Sequence, residues 1–178
     1  MNMKSTWMVC CLLMLLGIPG MAKDNKTNKS NKYKLVWQED FKGSSFDAKS
    51  WSKIPRDRPD WKRHMSYDDR LYEVKDGKLI LYGVNNDGTY QYDLNGDGKL
   101  EADTARFVTG GLYTKHKKTI EYGKVEVRAK LGQAQGAWPA IWMLPDRDIA
   151  WSMGGEIDIM EHLNYDPMAY QTVHTYYT

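Results

Sequence analysis

Gly154-Gly155-Glu156-Ile157-Asp158-Ile159-Met160-Glu161-His162 places three carboxylates within six positions of an otherwise apolar, β-branched run. Carboxylates taken out of water without partners are costly, so packing alone does not account for three of them here. Ile157, Ile159 and the two preceding glycines favour a strand over a helix. In a regular strand Glu156 and Asp158 share one face, and Glu161, an odd number of residues from Glu156, points to the other. One extra residue, a β-bulge near Ile159-Met160, restores the parity and returns Glu161 to the acidic face. In a helix Glu156 and Glu161 would stand roughly 140° apart at about 100° per residue, too far to share a substrate. A bulged strand is therefore the conformation in which all three acids can act together. An exposed edge strand with three solvated acids is the plainer alternative.

Two closely set carboxyl groups are what retaining glycoside hydrolysis requires, one attacking the anomeric carbon and the other protonating the leaving oxygen. A third acid beside them can hold or exchange a proton and push the other two pKa values apart.

The flanking residues point the same way. Gly136-Ala137-Trp138-Pro139-Ala140-Ile141-Trp142-Met143-Leu144-Pro145, followed by the acidic run, resembles the signature of glycoside hydrolase family 16. Its Glu-x-Asp-x-x-Glu spacing is similar to the laminarinase-type branch with the bulge, not to the lichenase-type Glu-x-Asp-x-Glu. The resemblance begins near Leu35-Val36-Trp37-Gln38-Glu39-Asp40-Phe41 and runs through Gly110-Gly111-Leu112-Tyr113-Thr114 and Tyr122-Gly123-Lys124-Val125-Glu126-Val127-Arg128-Ala129 to the last residue. It implies a β-jelly roll with Glu156 as nucleophile, Glu161 as general acid/base and Asp158 as the assisting acid between them. It implies an endo-acting retaining β-glycosidase of β-1,3- or mixed β-1,3/1,4-glucan that needs no cofactor for catalysis. Related enzymes with the same acids cleave β-galactosidic bonds in algal galactans or poly-N-acetyllactosamine. Trp61-Lys62-Arg63-His64-Met65-Ser66-Tyr67-Asp68-Asp69-Arg70 departs from the laminarinase pattern and keeps that alternative open. A jelly roll that binds sugar without hydrolysing it is a third reading.

Strand parity puts Trp138 and Trp142 on one face, either over sugar subsites or in a core. Tyr170, Thr172, His174 and Tyr176 likewise share a face on the strand after the acids. Their polar and aromatic character suits a cleft floor, with His174 nearest the acids or held as a structural histidine.

Residues 1–22 have the pattern of a secretory signal: Lys4, an apolar run over 8–18, the Pro19-Gly20 break and the small-residue site Gly20-Met21-Ala22. The apolar run is shorter than the roughly 20 residues a membrane-spanning helix needs. Cys10 and Cys11 lie inside this run without the small-residue context of a lipidated cysteine, so a secreted or periplasmic protein is expected ahead of a lipoprotein. They are the chain's two cysteines, so the mature protein has no disulfides. Residues 23–32, all Lys, Asp, Asn, Thr and Ser, form a solvated polar linker. A formal net charge of +2 gives no electrostatic reason to expect nucleic acid. A poly- or oligosaccharide partner and a monomer are expected.

Strands are expected over 33–41, 78–84, 111–115, 123–131, 137–144, 155–163 and 169–178, with turns at Asp76-Gly77 and Asn164-Tyr165-Asp166-Pro167. Over 124–131 the alternation is clean, placing Val125, Val127, Ala129 and Leu131 on a buried face. No amphipathic helix of normal length is apparent. The expected architecture is an all-β sandwich of two antiparallel sheets. Residues 33–178 are read as the N-terminal two-thirds of the catalytic domain, the chain stopping within a strand.

Asp93-Leu94-Asn95-Gly96-Asp97-Gly98-Lys99-Leu100-Glu101 matches the first nine positions of a calcium loop, with Asp93, Asn95, Asp97 and Glu101 as side-chain ligands. Position 12 is Thr104 instead of a bidentate acid, Asp103 falls one place early, and no helices flank the loop. A structural calcium site and a plain acidic turn are both compatible with it. The family resemblance also implies a calcium away from the catalytic acids, with unassigned ligands. His64, His116, His162 and His174 lack zinc-site spacing with one another, and there is no phosphate loop or Gly-x-Ser-x-Gly elbow.

Overall fold

A computed structural model describes residues 33–177. The expected signal (1–22) and linker (23–32) lie outside the described residues. Among the described residues no helix is long and apolar enough to cross a membrane. The protein is all-β: among the described residues eleven strands pair only in antiparallel ladders, apart from one isolated parallel bridge between Met65 and Thr109.

Strands β2 (Tyr72–Lys75) and β3 (Lys78–Leu81) form a hairpin with Tyr72 opposite Leu81 and Lys75 opposite Lys78. Asp76 (φ 52°) and Gly77 (φ 67°) both take the left-handed conformation of a type I′ turn, the connection whose twist matches the strands. The hairpin buries Val74 and Leu79 against Phe41, with Phe46, Trp51, Leu81 and Leu112 packed around them. The chain entering this core is tied by Glu39, whose carboxylate accepts the Phe41 amide at 2.8 Å and the Trp51 indole N–H at 3.1 Å. Around it, β1 (Ser52–Lys53) pairs with β8 (Leu112–Tyr113), β4 (Gly83–Asn85) with β7 (Phe107–Thr109), and β5 (Gln91–Tyr92) with β6 (Glu101–Ala102).

A buried ion pair fastens the β5–β6 hairpin to the segment after β1. Arg56 donates from Nη1 and Nη2 to the two Asp103 oxygens at 3.0 and 2.6 Å, and its guanidinium lies 4.1 Å from the Tyr92 ring centre. Burial pushes the Asp103 carboxyl pKa upward, but the Arg56 bonds and the Ala105 amide overcome it, leaving the pKa below the ordinary value. Arg56→Ala leaves a buried carboxylate uncompensated and is expected to cost about 3–5 kcal/mol. A melting temperature lower by on the order of 10 °C, read by calorimetry, checks this. Because the Asp103 pKa is depressed, the pair's contribution is present above the unfolded-state pKa and is lost as pH falls through the lower folded-state value.

The largest sheet has the order β11–β10–β9, with β9 at Ala140–Met143, β10 at Glu156–Glu161 and β11 at Tyr170–His174. Expected strands 78–84, 111–115, 137–144, 155–163 and 169–178 are present in shortened or divided form. Residues 33–41 and 123–131 form no ladder among the described residues, and Val125, Val127 and Ala129 are exposed instead of buried. Alternation specifies which side chains share a face, but a ladder also needs a neighbouring backbone to pair with. Val125, Val127 and Leu131 do face the back of the large sheet across an open space of about 440 Å³ that Ile141, Ile159 and Met160 line from the other side.

Candidate active site

β10 contains the bulge that the acid spacing requires. Against β9, Asp158 lies opposite Trp142 and Met160 opposite Ile141, so Ile159 is the extra residue. Against β11, Ile159 and Met160 together face Gln171, whose side-chain amide donates to the Ile159 carbonyl at 3.0 Å. Glu161 then pairs with Ala140 and Tyr170, while Glu156 and Asp158 pair with His174 and Thr172. Directly opposed residues share a face, so Glu156, Asp158, Glu161, Trp142, Tyr170, Thr172 and His174 all line one side of the sheet.

The three acids differ in setting. Asp158 is 4% exposed, whereas Glu156 and Glu161 are partly open. Each glutamate accepts an indole N–H: Trp151 donates to Glu156 Oε2 at 2.6 Å, and Trp138 donates to Glu161 Oε1 at 2.8 Å. Trp138 precedes β9, yet it reaches the acid face because the chain there still runs beside β10, with the His162 amide on the Pro139 carbonyl and the Asn164 amide on the Ala137 carbonyl. Both indoles are more than half exposed, which leaves ring surface free above the carboxylates. Trp142 is braced edge-on by Trp61, ring centres 4.6 Å apart, and Lys62 Nζ lies 4.7 Å from the Trp61 ring centre.

His174 joins the acids. Its Nε2 lies 3.1 Å from Asp158 Oδ2, and its ring is 5.6 Å from that of Trp151. The 3.1 Å approach is an ion-pair distance without hydrogen-bond alignment, for Asp158 Oδ2 is buried and has no hydrogen-bond partner among the described residues. His162, next to the acid run, turns inward, and its Nε2 meets the Asp166 carbonyl at 2.7 Å. Tyr176 lies past the end of β11, is 65% exposed, and meets the Tyr177 ring edge-on.

Burial raises the Glu156 pKa above the ordinary glutamate value. The Trp151 hydrogen bond opposes the rise, while the charge of Asp158 and a hydrogen bond to it add to the rise. Trp151→Phe removes the opposing bond and keeps an aromatic ring. If ionised Glu156 is the working form, the acid limb of the pH–rate profile moves to higher pH in this variant, and kcat/KM at the optimum falls about tenfold, near the 1.5 kcal/mol lower value of a charged hydrogen bond. A pH–rate profile beside wild type measures both.

The acidic loop between β5 and β6 is arranged differently from a metal cage. Asp93 accepts the backbone amides of Asp97 and Gly98 at 3.1 and 2.9 Å, Asp97 accepts that of Lys99, and Asn95 donates its side-chain amide to Glu101. Asp103, one place early in the calcium pattern, is taken by Arg56. Among the described residues, the group of acids and histidines with converging ligand atoms is Glu156, Asp158 and His174.

Residues 81–178 match the family described as glycosyl hydrolases family 16. The chain is 35% identical over 146 residues to a keratan-sulfate endo-1,4-beta-galactosidase of Sphingobacterium multivorum, covering 80% of this chain and 32% of that protein. It is 33% identical over 174 residues to a beta-glucanase of Rhodothermus marinus, covering 92% and 56%. Among solved structures, the catalytic domain of an endo-1,3-beta-glucanase (laminarinase) from Thermotoga petrophila RKU-1 superposes with a TM-score of 0.63 at 30% identity, covering 80% of this chain and 56% of that one. The chain thus spans between about a third and just over half of the length of these proteins.

Proposed function

The chain belongs to glycosyl hydrolases family 16, with the all-β jelly-roll fold of that family, and we propose that it is an endo-acting β-glycoside hydrolase that retains anomeric configuration. The observation that carries this is the bulge at Ile159, which brings Glu156, Asp158 and Glu161 to one face with an indole N–H on each glutamate. In the first step Glu156 attacks the anomeric carbon while Glu161 protonates the departing glycosidic oxygen. The Glu156–carbon bond forms as the carbon–oxygen bond breaks. In the second step Glu161, now a carboxylate, takes a proton from water, whose oxygen attacks the same carbon and expels Glu156. Asp158 bonds to Glu156 and holds or exchanges its proton between the two steps. Trp138 and Trp142 offer ring faces to sugar, a use for which aromatic side chains with one wet edge are suited.

A polysaccharide of β-1,3- or mixed β-1,3/1,4-glucan is the proposed substrate, on the strength of the likeness to the Rhodothermus beta-glucanase and the Thermotoga laminarinase domain. A β-galactosidic substrate is the second reading. It is favoured by the 35% identity to the keratan-sulfate endo-galactosidase. A panel of laminarin, mixed-linkage glucan, algal galactan and keratan oligosaccharides, read by product mass, separates them. Cleavage of the galactosides alone would overturn the glucan proposal. Binding of these glycans without release of reducing ends would instead identify a lectin.

Export by the 1–22 signal, and a monomeric state, are part of the same proposal. For the 93–101 loop, a calcium ion would have to win Asp93 from two backbone amides, so any binding is expected to be as weak as about 10⁻⁴–10⁻³ M. A calcium titration of melting temperature, with the Asp93→Ala/Asp97→Ala double variant beside wild type, checks this. An identical response in both proteins removes the loop as a site.

A further inference from the structure

We propose that Glu156, Asp158 and His174 form a binding site for one divalent first-row transition metal ion, with zinc as its reference ligand, and that occupation of this site switches the hydrolase off. The ion is not part of the reaction.

Three features point to a cation. Each of the three residues offers one ligand atom, and the three atoms lie within 4.8 Å of one another. Asp158, 4% exposed, turns Oδ2 into the group, and that oxygen accepts no hydrogen bond from the described residues. His174 Nε2 stands 3.1 Å from it, close to the separation of about 3.3 Å that two ligands have when each is about 2.0–2.1 Å from a tetrahedral zinc. A buried, unbonded carboxylate oxygen facing an imidazole nitrogen is costly as it stands, and a shared cation relieves it. Ligand atoms on a tetrahedral zinc lie about 3.3 Å apart, so at the outer limit of 4.8 Å Glu156 closes by about 1.5 Å. Two carboxylates and one imidazole neutralise a dication, and this hard-to-borderline oxygen and nitrogen set suits zinc better than copper(I) or calcium. His174 and Glu156 are partly exposed, which provides an entry path, and three protein ligands leave the fourth position to water.

Metal binding itself does not depend on the hydrolase reading, whereas its consequence for turnover does. A carboxylate bound to zinc is a poor nucleophile and sits where the anomeric carbon must approach, so zinc is expected to compete with substrate and to be reversed by a chelator. Binding is tested with the metal alone by titration calorimetry. One equivalent is expected for wild type, and Glu156→Gln and Asp158→Asn, both close in shape to the parent residues, should each weaken it by more than the about 10–100-fold typical of an outer-shell partner. Cobalt(II) should give visible absorption bands in wild type that both variants lose. In wild type, zinc should shift the imidazole resonances of His174 and leave those of His64, His116 and His162 in place, a readout independent of variant folding. Equal zinc binding in wild type and variants, through Cys10, Cys11 or the other histidines, would overturn the site. So would an unshifted His174. Zinc binding at His174 in a protein without glycosidase activity would uphold the site and sink the hydrolase reading. Activity without zinc binding would do the reverse.

Discussion

Glu156→Gln is expected to lower turnover of the preferred β-glycan by about 10³-fold or more, equivalent to at least about 4 kcal/mol of transition-state stabilisation. An amide cannot form the glycosyl-enzyme bond, and no other carboxylate occupies its place opposite His174 on β10. Stability should move the other way. Burial raises the folded-state pKa of Glu156, so the folded protein binds more protons than the unfolded one between the two pKa values. Stability therefore falls as pH rises through that window, and at neutral pH the charged side chain destabilises the fold. Glutamine removes that charge, so the variant should melt at a higher temperature than wild type near pH 7 and lose this advantage at low pH. A dead but more stable variant is what a carboxylate held for chemistry predicts; a dead and less stable one would mean that Glu156 is structural. In Glu156→Ala, azide should restore turnover of an aryl β-glycoside and release the α-glycosyl azide, since the small anion attacks from the emptied face.

Glu161→Gln is the second large effect, with an expected loss of about 10²–10⁴-fold, the span of general acid catalysis. The loss should depend on the leaving group. A natural glycan needs its departing oxygen protonated, whereas a dinitrophenyl glycoside leaves without help, so the variant should recover most of the first-step rate on the activated substrate. kcat/KM on the two substrates, which reports the first step alone, measures the difference. Equal losses on both would remove Glu161 from the role of proton donor. The Trp138 indole remains able to donate to the glutamine carbonyl oxygen, so the variant should fold as wild type does.

Much of this site was legible in the residues because parity is a strict constraint. Three acids at positions 156, 158 and 161 can share a face of a strand only with one added residue; Ile159 is that residue against β9, and Ile159 and Met160 share one partner position against β11. The Asp76-Gly77 turn was equally legible, since both positions need positive φ and carry residues that tolerate it. Trp151 was not. It lies in an irregular stretch five residues before Glu156, where no period relates one side chain to another, and only the folded loop reveals its bond to the carboxylate. The partner of Asp103 is illegible for a related reason. It falls one place early in a calcium-like pattern, and Arg56, 47 residues away, claims both oxygens. Sequence spacing describes neighbours along the chain, and a bidentate ion pair between distant segments leaves no trace in it. The run over 123–131 shows the converse limit: a clean alternation identified the apolar side of Val125 and Val127 without specifying a strand to pair with.

The most direct test is the anomeric form of the product as it is born. Proton NMR during the first minutes of cleavage of the preferred β-glycan, before mutarotation, reads the new reducing end. Retention through Glu156 and Glu161 predicts the β-anomer first, followed by slow appearance of the α-anomer. An initial α-anomer would show single displacement by water and contradict the assignment of Glu156 as nucleophile.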